Sequence, residues 1–296
     1  MGSSALAAEL CKVWPSTLVP FEVLQDYDLP AYVSGDTYFI AASYSGDSAE
    51  VLSALKQAQA RGATIAVVTS GGQLARIARE NGYPLMLLPA GASSQRAFFY
   101  AFKALVCLLD QAGLVALQGA VDELPAAGAF VGTQLDSWLP AVATAKNPAK
   151  QLALEIIGKS VVIYSGPLLA PAAHSFKADI NQNAKHIAWT GQYPGHGQTE
   201  LLGWTKQPVI KPYAVIELRS NFDNPQVIRH MDASKRVLSG LRPSPHIITA
   251  QGDTILAQLL WSMAFGNFVS LYLALANGLN PSKNSIITKL KETTQL

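Results

Sequence analysis

Ser-Tyr-Ser-Gly-Asp-Ser-Ala-Glu, residues 43–50, lies between the apolar run Tyr38–Ala42 and a stretch with apolar residues at helical spacing. This pattern predicts a strand, a tight polar turn and the N-terminus of a helix. Three hydroxyls and free backbone N–H groups at the positive end of a helix form a site for anions, of which phosphate is the usual occupant. Asp47 and Glu50 also have the spacing of a capping box, so plain helix capping is the alternative interpretation.

The same strand, turn and helix pattern recurs along the first half of the chain. A second apolar strand, Thr64–Val68, runs into Thr69-Ser70-Gly71-Gly72. A helix over 73–81 and a third strand over 84–88 are expected to follow. Strands that alternate with helices at this spacing predict right-handed crossovers and a parallel sheet, whose ligands bind at the carboxyl ends of the strands. Both serine turns lie there.

The alternation resumes in the second half of the chain. Residues 119–150, which contain glycine and proline, are predicted to form a connecting helical segment. Further strands are expected at four apolar runs: 160–164, 186–189, 213–218 and 246–250. The predicted fold class is therefore α/β, with two doubly wound parallel-sheet domains in tandem, over 1–118 and 151–296.

The composition limits the possible classes of function. Hydrophobic residues make up 49% of the chain and charged residues 14%, so much apolar surface is expected to be buried within domains or between subunits. Lys and Arg (22) barely exceed Asp and Glu (20) and form no cluster, which disfavours a nucleic-acid partner. Cys11 and Cys107 lie among apolar residues, which favours reduced, buried thiols and a cytoplasmic location.

Two segments bear on membrane insertion or targeting. The most apolar segment, 255–276, carries Gln258, Ser262 and Asn267, and predicts a buried or interface helix in preference to a membrane span. The N-terminus lacks the pattern of a signal peptide. Met1-Gly2-Ser3-Ser4 instead resembles a third small-residue turn opening a helix. Either an upstream strand and helix are missing, which the register favours, or these residues are an expression scar.

Residues 43–50 resemble the phosphate loop of sugar isomerase (SIS) domains, Ser-Tyr-Ser-Gly-Asn-Thr-x-Glu, and 68–72 resemble the second turn of those domains. The order of motifs along the whole chain resembles the bifunctional phosphoglucose/phosphomannose isomerases, which consist of two SIS domains. The further motifs are Asn-Gln-Asn-Ala-Lys at 181–185, Glu-Leu-Leu-Gly-Trp at 200–204, and Asn-Pro at 280–281 followed by Leu-Lys at 290–291.

This resemblance implies a homodimer that interconverts glucose 6-phosphate or mannose 6-phosphate with fructose 6-phosphate, without a metal or redox cofactor. The polar residues of segment 255–276 disfavour a membrane partner. The resemblance assigns to Arg96 the role of stabilising the negative charge that builds on the enediolate oxygens. Gln95 replaces the proline that the family has before this arginine. The phosphate is expected to be held by four serines: Ser4, Ser43, Ser45 and Ser48.

The chain departs from the family at the groups that transfer protons. Gln182 stands where the family has its glutamate base, and a neutral amide cannot act as a general base. Gln198 stands where the family has its ring-opening histidine. His196, flanked by two glycines, is a candidate substitute because a flexible loop could present it, and a solvated role is its alternative. Lys291 matches the family's C-terminal lysine.

Two hypotheses follow. The first is an aldose–ketose isomerase, impaired or with relocated acid–base groups such as Asp179 or Glu200. The second is a catalytically inactive phosphosugar-binding protein that acts as a sensor or partner subunit, which Gln182 favours. A dinucleotide-dependent enzyme is disfavoured because no Gly-x-Gly-x-x-Gly turn follows a strand, and a transcription regulator because no basic helix-turn-helix segment is present.

Overall fold

The structure, a computed structural model, describes residues 3–92, 94–117, 119–206 and 212–283, together with residues 286, 289 and 293. For residues 3 and 94–96 only the backbone is described. Two compact units divide the chain, the first extending to Leu124 and the second beginning at Pro125. Each unit contains a parallel sheet with helices, as the alternating pattern predicts.

The first unit contains a three-stranded sheet in the order β1-β2-β3, and both strand pairs are parallel. The elements of this unit, in chain order, are α1 Ser3–Val13, β1 Tyr38–Ala42, α2 Ala49–Ala60, β2 Thr64–Thr69, α3 Gly72–Asn81, β3 Leu85–Leu87 and α4 Ser94–Gln111. The boundary between the two units falls within the next helix, α5 Ala120–Leu135.

Apolar residues of β1, α2, β2 and α3 form the core of the first unit, with Leu55, Val67 and Leu74 among its fully buried side chains. Helix α3 ends because Gly82, at φ 69°, takes the left-handed conformation that terminates helices. This packing fixes the carboxyl ends of β1 and β2 side by side.

The second unit contains a four-stranded parallel sheet in the order β5-β4-β6-β7. Its elements are α6 Pro148–Ile156, β4 Ser160–Ser165, α7 Ala170–Asn183, β5 Ala188–Gln192, α8 His196–Thr199, β6 Tyr213–Arg219, α9 Pro225–Val237, β7 His246–Thr249 and α10 Ile255–Ala276. The strand expected at 186–189 forms two residues later than predicted, and the other strands lie at the predicted runs. The α/β prediction with parallel sheets is confirmed.

Helix α10 packs against α6 and α7 and is the core helix of the second unit. Thr254 caps it by accepting a hydrogen bond from the Ala257 amide at 3.1 Å. Among the described helices it alone is long and apolar enough to cross a membrane, yet 61% of its most apolar window is buried inside the protein. This burial agrees with the predicted buried helix.

Candidate active site

Two glycine turns interlock at the carboxyl ends of β1 and β2. The Ser70 amide and hydroxyl both donate to the Tyr44 carbonyl, at 3.0 and 2.7 Å. Gly46 has φ 77°, and a Cβ there would lie 1.9 Å from the Gly71 carbonyl oxygen. Gly72 has φ 66°, and its Cβ would lie 2.4 Å from the Ser45 carbonyl oxygen. Neither turn can accept a side chain at these positions, because the two backbones touch.

Three predicted phosphate ligands form one hydroxyl cluster on the first of these turns. The Oγ atoms of Ser43 and Ser48 are 2.8 Å apart, and those of Ser43 and Ser45 are 3.5 Å apart. Ser43 is buried, Ser48 half-buried and Ser45 exposed, so the cluster runs from the protein interior to its surface. Hydroxyls can donate to an anion without demanding a full countercharge.

The capping interpretation of this turn is wrong. Ser48 is the N-cap residue of α2, but its side chain makes no hydrogen bond to the first-turn amides of that helix. The Asp47 carboxylate accepts instead from the Gln73 amide at 3.0 Å, in the first turn of α3. Ser48 therefore leaves the positive end of α2 uncapped beside the hydroxyl cluster, which suits an anion.

Tyr44 connects this turn to the loop that precedes α4. Its hydroxyl donates to the Pro89 carbonyl and accepts from the Ala92 amide, each at 2.8 Å. Arg96 lies in the first turn of α4, and its side chain lies outside the described residues. Ser4, also predicted to bind phosphate, is buried in α1, and no hydrogen bond among the described side chains joins it to the hydroxyl cluster.

Gln182 lies in the last turn of α7 with its side chain exposed. Lys185, at φ 50°, follows this helix, and its three N–H donors are shared among four backbone carbonyls within hydrogen-bond distance of Nζ. Two are those of Gln182 and Asn183, at 2.8 and 3.3 Å, and two are those of Asn280 and Pro281, at 3.2 and 2.9 Å. Lys185 thus fastens the turn that carries Gln182 to the segment after α10. Lys291 lies outside the described residues.

A flexible loop was expected at His196, but this residue lies in a helix. It is the first residue of α8, and its ring is buried with centroids 4.3 Å from Tyr164 and 4.9 Å from Tyr193. Its Nδ1 lies 3.5 Å from the Glu200 carboxylate. Burial lowers the pKa of His196 because it penalises the charged ring, and Glu200 partly opposes this. The expected solvated alternative is also wrong. A catalytic role for His196 stays a prediction.

Two further residues of this region differ in exposure and contacts. Gln198, at the family's histidine position, is exposed on α8. Glu200 accepts a hydrogen bond from the Tyr164 hydroxyl at 2.8 Å, and the same hydroxyl accepts from Trp204 Nε1 at 3.1 Å. Glu200 therefore acts as a hydrogen-bond acceptor within the fold, and an acid–base role for it stays a prediction.

A charge network centred on the buried Glu217 and Arg242 was not predicted from the sequence. Glu217, in the middle of β6, accepts from Arg242 at 3.0 Å and from Arg219 at 2.8 Å. Arg219 also donates to Asp232 at 2.7 Å. The signal was a carboxylate inside a strand that is apolar except for its last residue, Arg219, since a buried carboxylate is rare without a partner. No group of three or more metal-ligating side chains occurs in the part of the chain that the structure describes.

The pH dependence of stability gives a first testable prediction for His196. A histidine whose pKa is lowered in the folded protein binds its proton more readily when unfolded, so stability is full above pH 6.5 and falls as the pH drops below it. We expect the free energy of unfolding to decline by at most about 1.4 kcal/mol per pH unit from this residue. His196→Leu removes that decline, as measured by urea unfolding at pH 7.5 and 5.5.

His230→Leu, an exposed histidine on α9, is the matched control for that experiment. It is expected to keep the decline seen in the parent protein. Equal pH dependence in the parent and His196→Leu would contradict the assignment to the buried ring.

The parallel α/β units and the serine turn at the start of α2 define a protein of the sugar isomerase (SIS) class. The family model for the bacterial phospho-glucose isomerase C-terminal SIS domain matches residues 145–293. A bifunctional phosphoglucose/phosphomannose isomerase from Caldicellulosiruptor bescii is 30% identical over 279 residues, covering 93% of this chain and 81% of its own. The chain therefore belongs to the bifunctional phosphoglucose/phosphomannose isomerase family.

Two other similarities bear on fold and chemistry. A D-glucosamine-6-phosphate 4-epimerase from Sulfolobus acidocaldarius is 37% identical over 199 residues, which cover 62% of this chain and 60% of that protein. The C-terminal domain of glucosamine-fructose-6-phosphate aminotransferase from Francisella tularensis has a TM-score of 0.73 at 16% identity, covering 96% of this chain and 84% of that one. The latter similarity concerns the fold alone.

Proposed function

We propose that this protein is an aldose–ketose isomerase that interconverts glucose 6-phosphate or mannose 6-phosphate with fructose 6-phosphate. The observation that carries the proposal is the hydroxyl cluster of Ser43, Ser45 and Ser48 at the uncapped start of α2. Family membership supports the identity of the anion as the phosphate of a sugar. A cofactor is not required, since the reaction moves a proton between C2 and C1 and leaves the overall redox state unchanged.

The reaction places three demands on the protein. The phosphate must be held, and the hydroxyl cluster at the start of α2 supplies hydrogen-bond donors for it. The C2 proton of the aldose must be removed to give an enediolate and a proton returned to C1, which requires a base. The negative charge on the enediolate must be stabilised, for which the family resemblance offers Arg96. Gln182 can hydrogen-bond to a substrate but cannot remove the proton.

Loss of a general base costs about 10² to 10⁴ in rate, which leaves a slow enzyme rather than none. Incubation of the protein with fructose 6-phosphate in deuterated water tests this directly. Deuterium at C2 of an aldose product supports the isomerase. Binding of fructose 6-phosphate without deuterium incorporation or aldose formation would refute it and support the inactive sugar-phosphate-binding alternative.

Ser45→Ala tests the phosphate site independently of turnover. Removal of a hydrogen bond to a charged group is expected to weaken fructose 6-phosphate binding by about tenfold to a hundredfold, because such bonds contribute about 1.5–3 kcal/mol. Isothermal titration calorimetry measures the change. Ser137→Ala, an exposed serine of the second unit, serves as the control and should bind like the parent. Unchanged affinity in Ser45→Ala would remove this serine from the site.

A C4 epimerase of amino-sugar phosphates is the second candidate. The 37% identity to a D-glucosamine-6-phosphate 4-epimerase favours it. Incubation with glucosamine 6-phosphate, followed by proton NMR, would reveal the C4 epimer through the changed coupling of its C4 hydrogen. An epimer formed without any ketose would replace the isomerase proposal.

We also propose that the protein is a homodimer. Support comes from large apolar side chains exposed on α4, since Phe99 is 50% and Tyr100 45% exposed. Sedimentation analysis at micromolar concentration is expected to give twice the mass of the chain, and a monomer would rule the dimer out.

A further inference from the structure

Both asparagines of residues 181–185 are tied to neighbouring elements of the second unit. The Asn181 side chain accepts from the Ala188 amide at 2.9 Å and donates to the Ala188 carbonyl at 3.4 Å, which joins the end of α7 to the first residue of β5. Asn183 is buried and donates to the Ser270 hydroxyl of α10 at 2.8 Å. The last turn of α7 is therefore fixed against both β5 and α10.

Lys185 adds a link from this turn to the segment that follows α10. Two of the carbonyls around its Nζ, those of Asn280 and Pro281, belong to residues 95 and 96 positions away and lie at 3.2 and 2.9 Å. Its backbone has φ 50°, a left-handed conformation that glycine adopts without strain and that other residues adopt rarely. Glycine would therefore end α7 with less strain, but only a long cationic side chain can donate to both segments at once.

Gln182 has a fixed backbone and a free side chain. Its carbonyl accepts from Lys185 at 2.8 Å, and its neighbours Asn181 and Asn183 are held by their own side chains. The Gln182 side chain is exposed, and it makes no hydrogen bond to any other residue that the structure describes. A free polar side chain on a rigid backbone is what a group that acts on a substrate needs, because a displacement of about 1 Å can cost about a hundredfold in rate.

We propose that Lys185 is a positioning residue for turnover, whose ammonium holds residue 182 at a fixed place relative to the segment that follows α10. The inference rests on the proposed function, since the family resemblance assigns the base to residue 182. The same resemblance assigns a lysine to position 291, downstream of the Asn-Pro motif at 280–281. Through Lys185, the motif at 181–185 is joined to the motif at 280–281.

A purely local role would leave Lys185 with carbonyls of α7 alone, since cations are favourable at the C-terminus of any helix. Lys159 shows that arrangement. It follows α6, and its Nζ donates to the Glu155 carbonyl, four residues earlier, at 2.7 Å. Lys185 differs because two of its four carbonyl partners lie on a distant segment, so Lys159 is the matched control for the experiments.

Lys185→Met keeps most of the side-chain stem and removes the ammonium. In the full chain it is expected to speed the hydrogen exchange of two amides together by at least about tenfold, as measured by NMR. These are the amides of Ala184, which donates to Ile180 at the end of α7, and Leu279, which donates to Ala274 at the end of α10. Lys185→Gly, which relieves the left-handed strain, should have the same effect, because the link depends on the ammonium.

The matched control, Lys159→Met, should leave the exchange of both amides unchanged. The amide of Ile163, in the middle of β4, is the internal control for global unfolding and should keep its exchange rate in every variant. Acceleration at Ala184 alone, or at neither amide, in the two Lys185 variants would overturn the proposal, because the two segments would then not be joined through this side chain.

Turnover of fructose 6-phosphate separates positioning from a general loss of stability. In Gln182→Glu, where residue 182 carries a carboxylate, the addition of Lys185→Met is expected to lower kcat about a hundredfold with KM nearly unchanged. In the parent protein, which has no carboxylate to place, the same substitution should lower kcat much less. Equal loss in the two backgrounds would overturn the positioning role. Absence of turnover in every variant would instead refute the proposed function, and the exchange of the two amides would still decide whether Lys185 joins the segments.

Discussion

Replacement of Gln182 by glutamate is expected to raise the rate of fructose 6-phosphate isomerisation by about 10² to 10⁴. The reason is that a carboxylate can take the C2 proton whereas an amide cannot. The backbone that would carry the glutamate is held in place, because Lys185 donates to the Gln182 carbonyl at 2.8 Å and ties this turn to Asn280 and Pro281.

The measurement for Gln182→Glu is kcat and KM from a coupled assay, with deuterium incorporation from solvent as a second readout. Gln226→Glu, an exposed glutamine at the start of α9, makes the same charge change elsewhere and should leave the rate unaltered. Because the base acts in the transition state, the gain should appear in kcat rather than in KM. If Gln182→Glu remains as slow as the parent, Gln182 does not occupy the position of a lost base.

Gly46→Ala is expected to destabilise the protein by roughly 3 kcal/mol or more. An added Cβ would lie 1.9 Å from the Gly71 carbonyl oxygen and 2.8 Å from the Gly71 carbonyl carbon, so one of the two turns must move. Such a shift also displaces Ser43, Ser45 and Ser48, and we expect sugar-phosphate binding to be lost together with stability. Urea unfolding and titration calorimetry measure the two effects.

Gly62→Ala separates backbone strain from this close approach. Gly62 has φ 72°, almost the same as the 77° of Gly46, but a Cβ there has no atom within 4 Å. Its substitution is expected to cost only the strain of a left-handed residue, about 1–2 kcal/mol, and to leave binding intact. Equal losses of unfolding free energy in Gly46→Ala and Gly62→Ala would show that the close approach of the two turns adds nothing to the cost of substituting Gly46.

Much of the fold could be predicted from the sequence because its signals are local. The apolar run Tyr38–Ala42, the polar turn and the helix after it are all encoded within about a dozen neighbouring residues. The predicted strands after residue 150 were also found, since each is a short apolar run bounded by turn residues. Strand β5 begins two residues and ends three residues later than predicted, and the ends of the other strands differ by at most one residue, as is common at the ends of elements.

The candidate site was less predictable because its geometry depends on partners that are distant in sequence. Asp47 has the spacing to cap α2, yet it binds the Gln73 amide 26 residues away. His196 stands between glycines, which suggested a mobile loop, yet Tyr164 and Tyr193 enclose its ring. Glu217 meets Arg242 across 25 residues. Neither hydrophobic periodicity nor a short motif identifies contacts between residues so far apart in the sequence.

The sequence by itself determined that this is an α/β protein with a serine-rich anion turn and an amide at the position of the expected base. Those properties depend on residue type and short-range spacing, both of which can be read directly from the sequence. The tertiary structure decided that Ser48 leaves the start of α2 uncapped, that His196 is buried and that Lys185 joins two segments distant in the sequence. Each of these depends on which distant segments pack together, because burial and hydrogen-bond pairing belong to the folded chain as a whole.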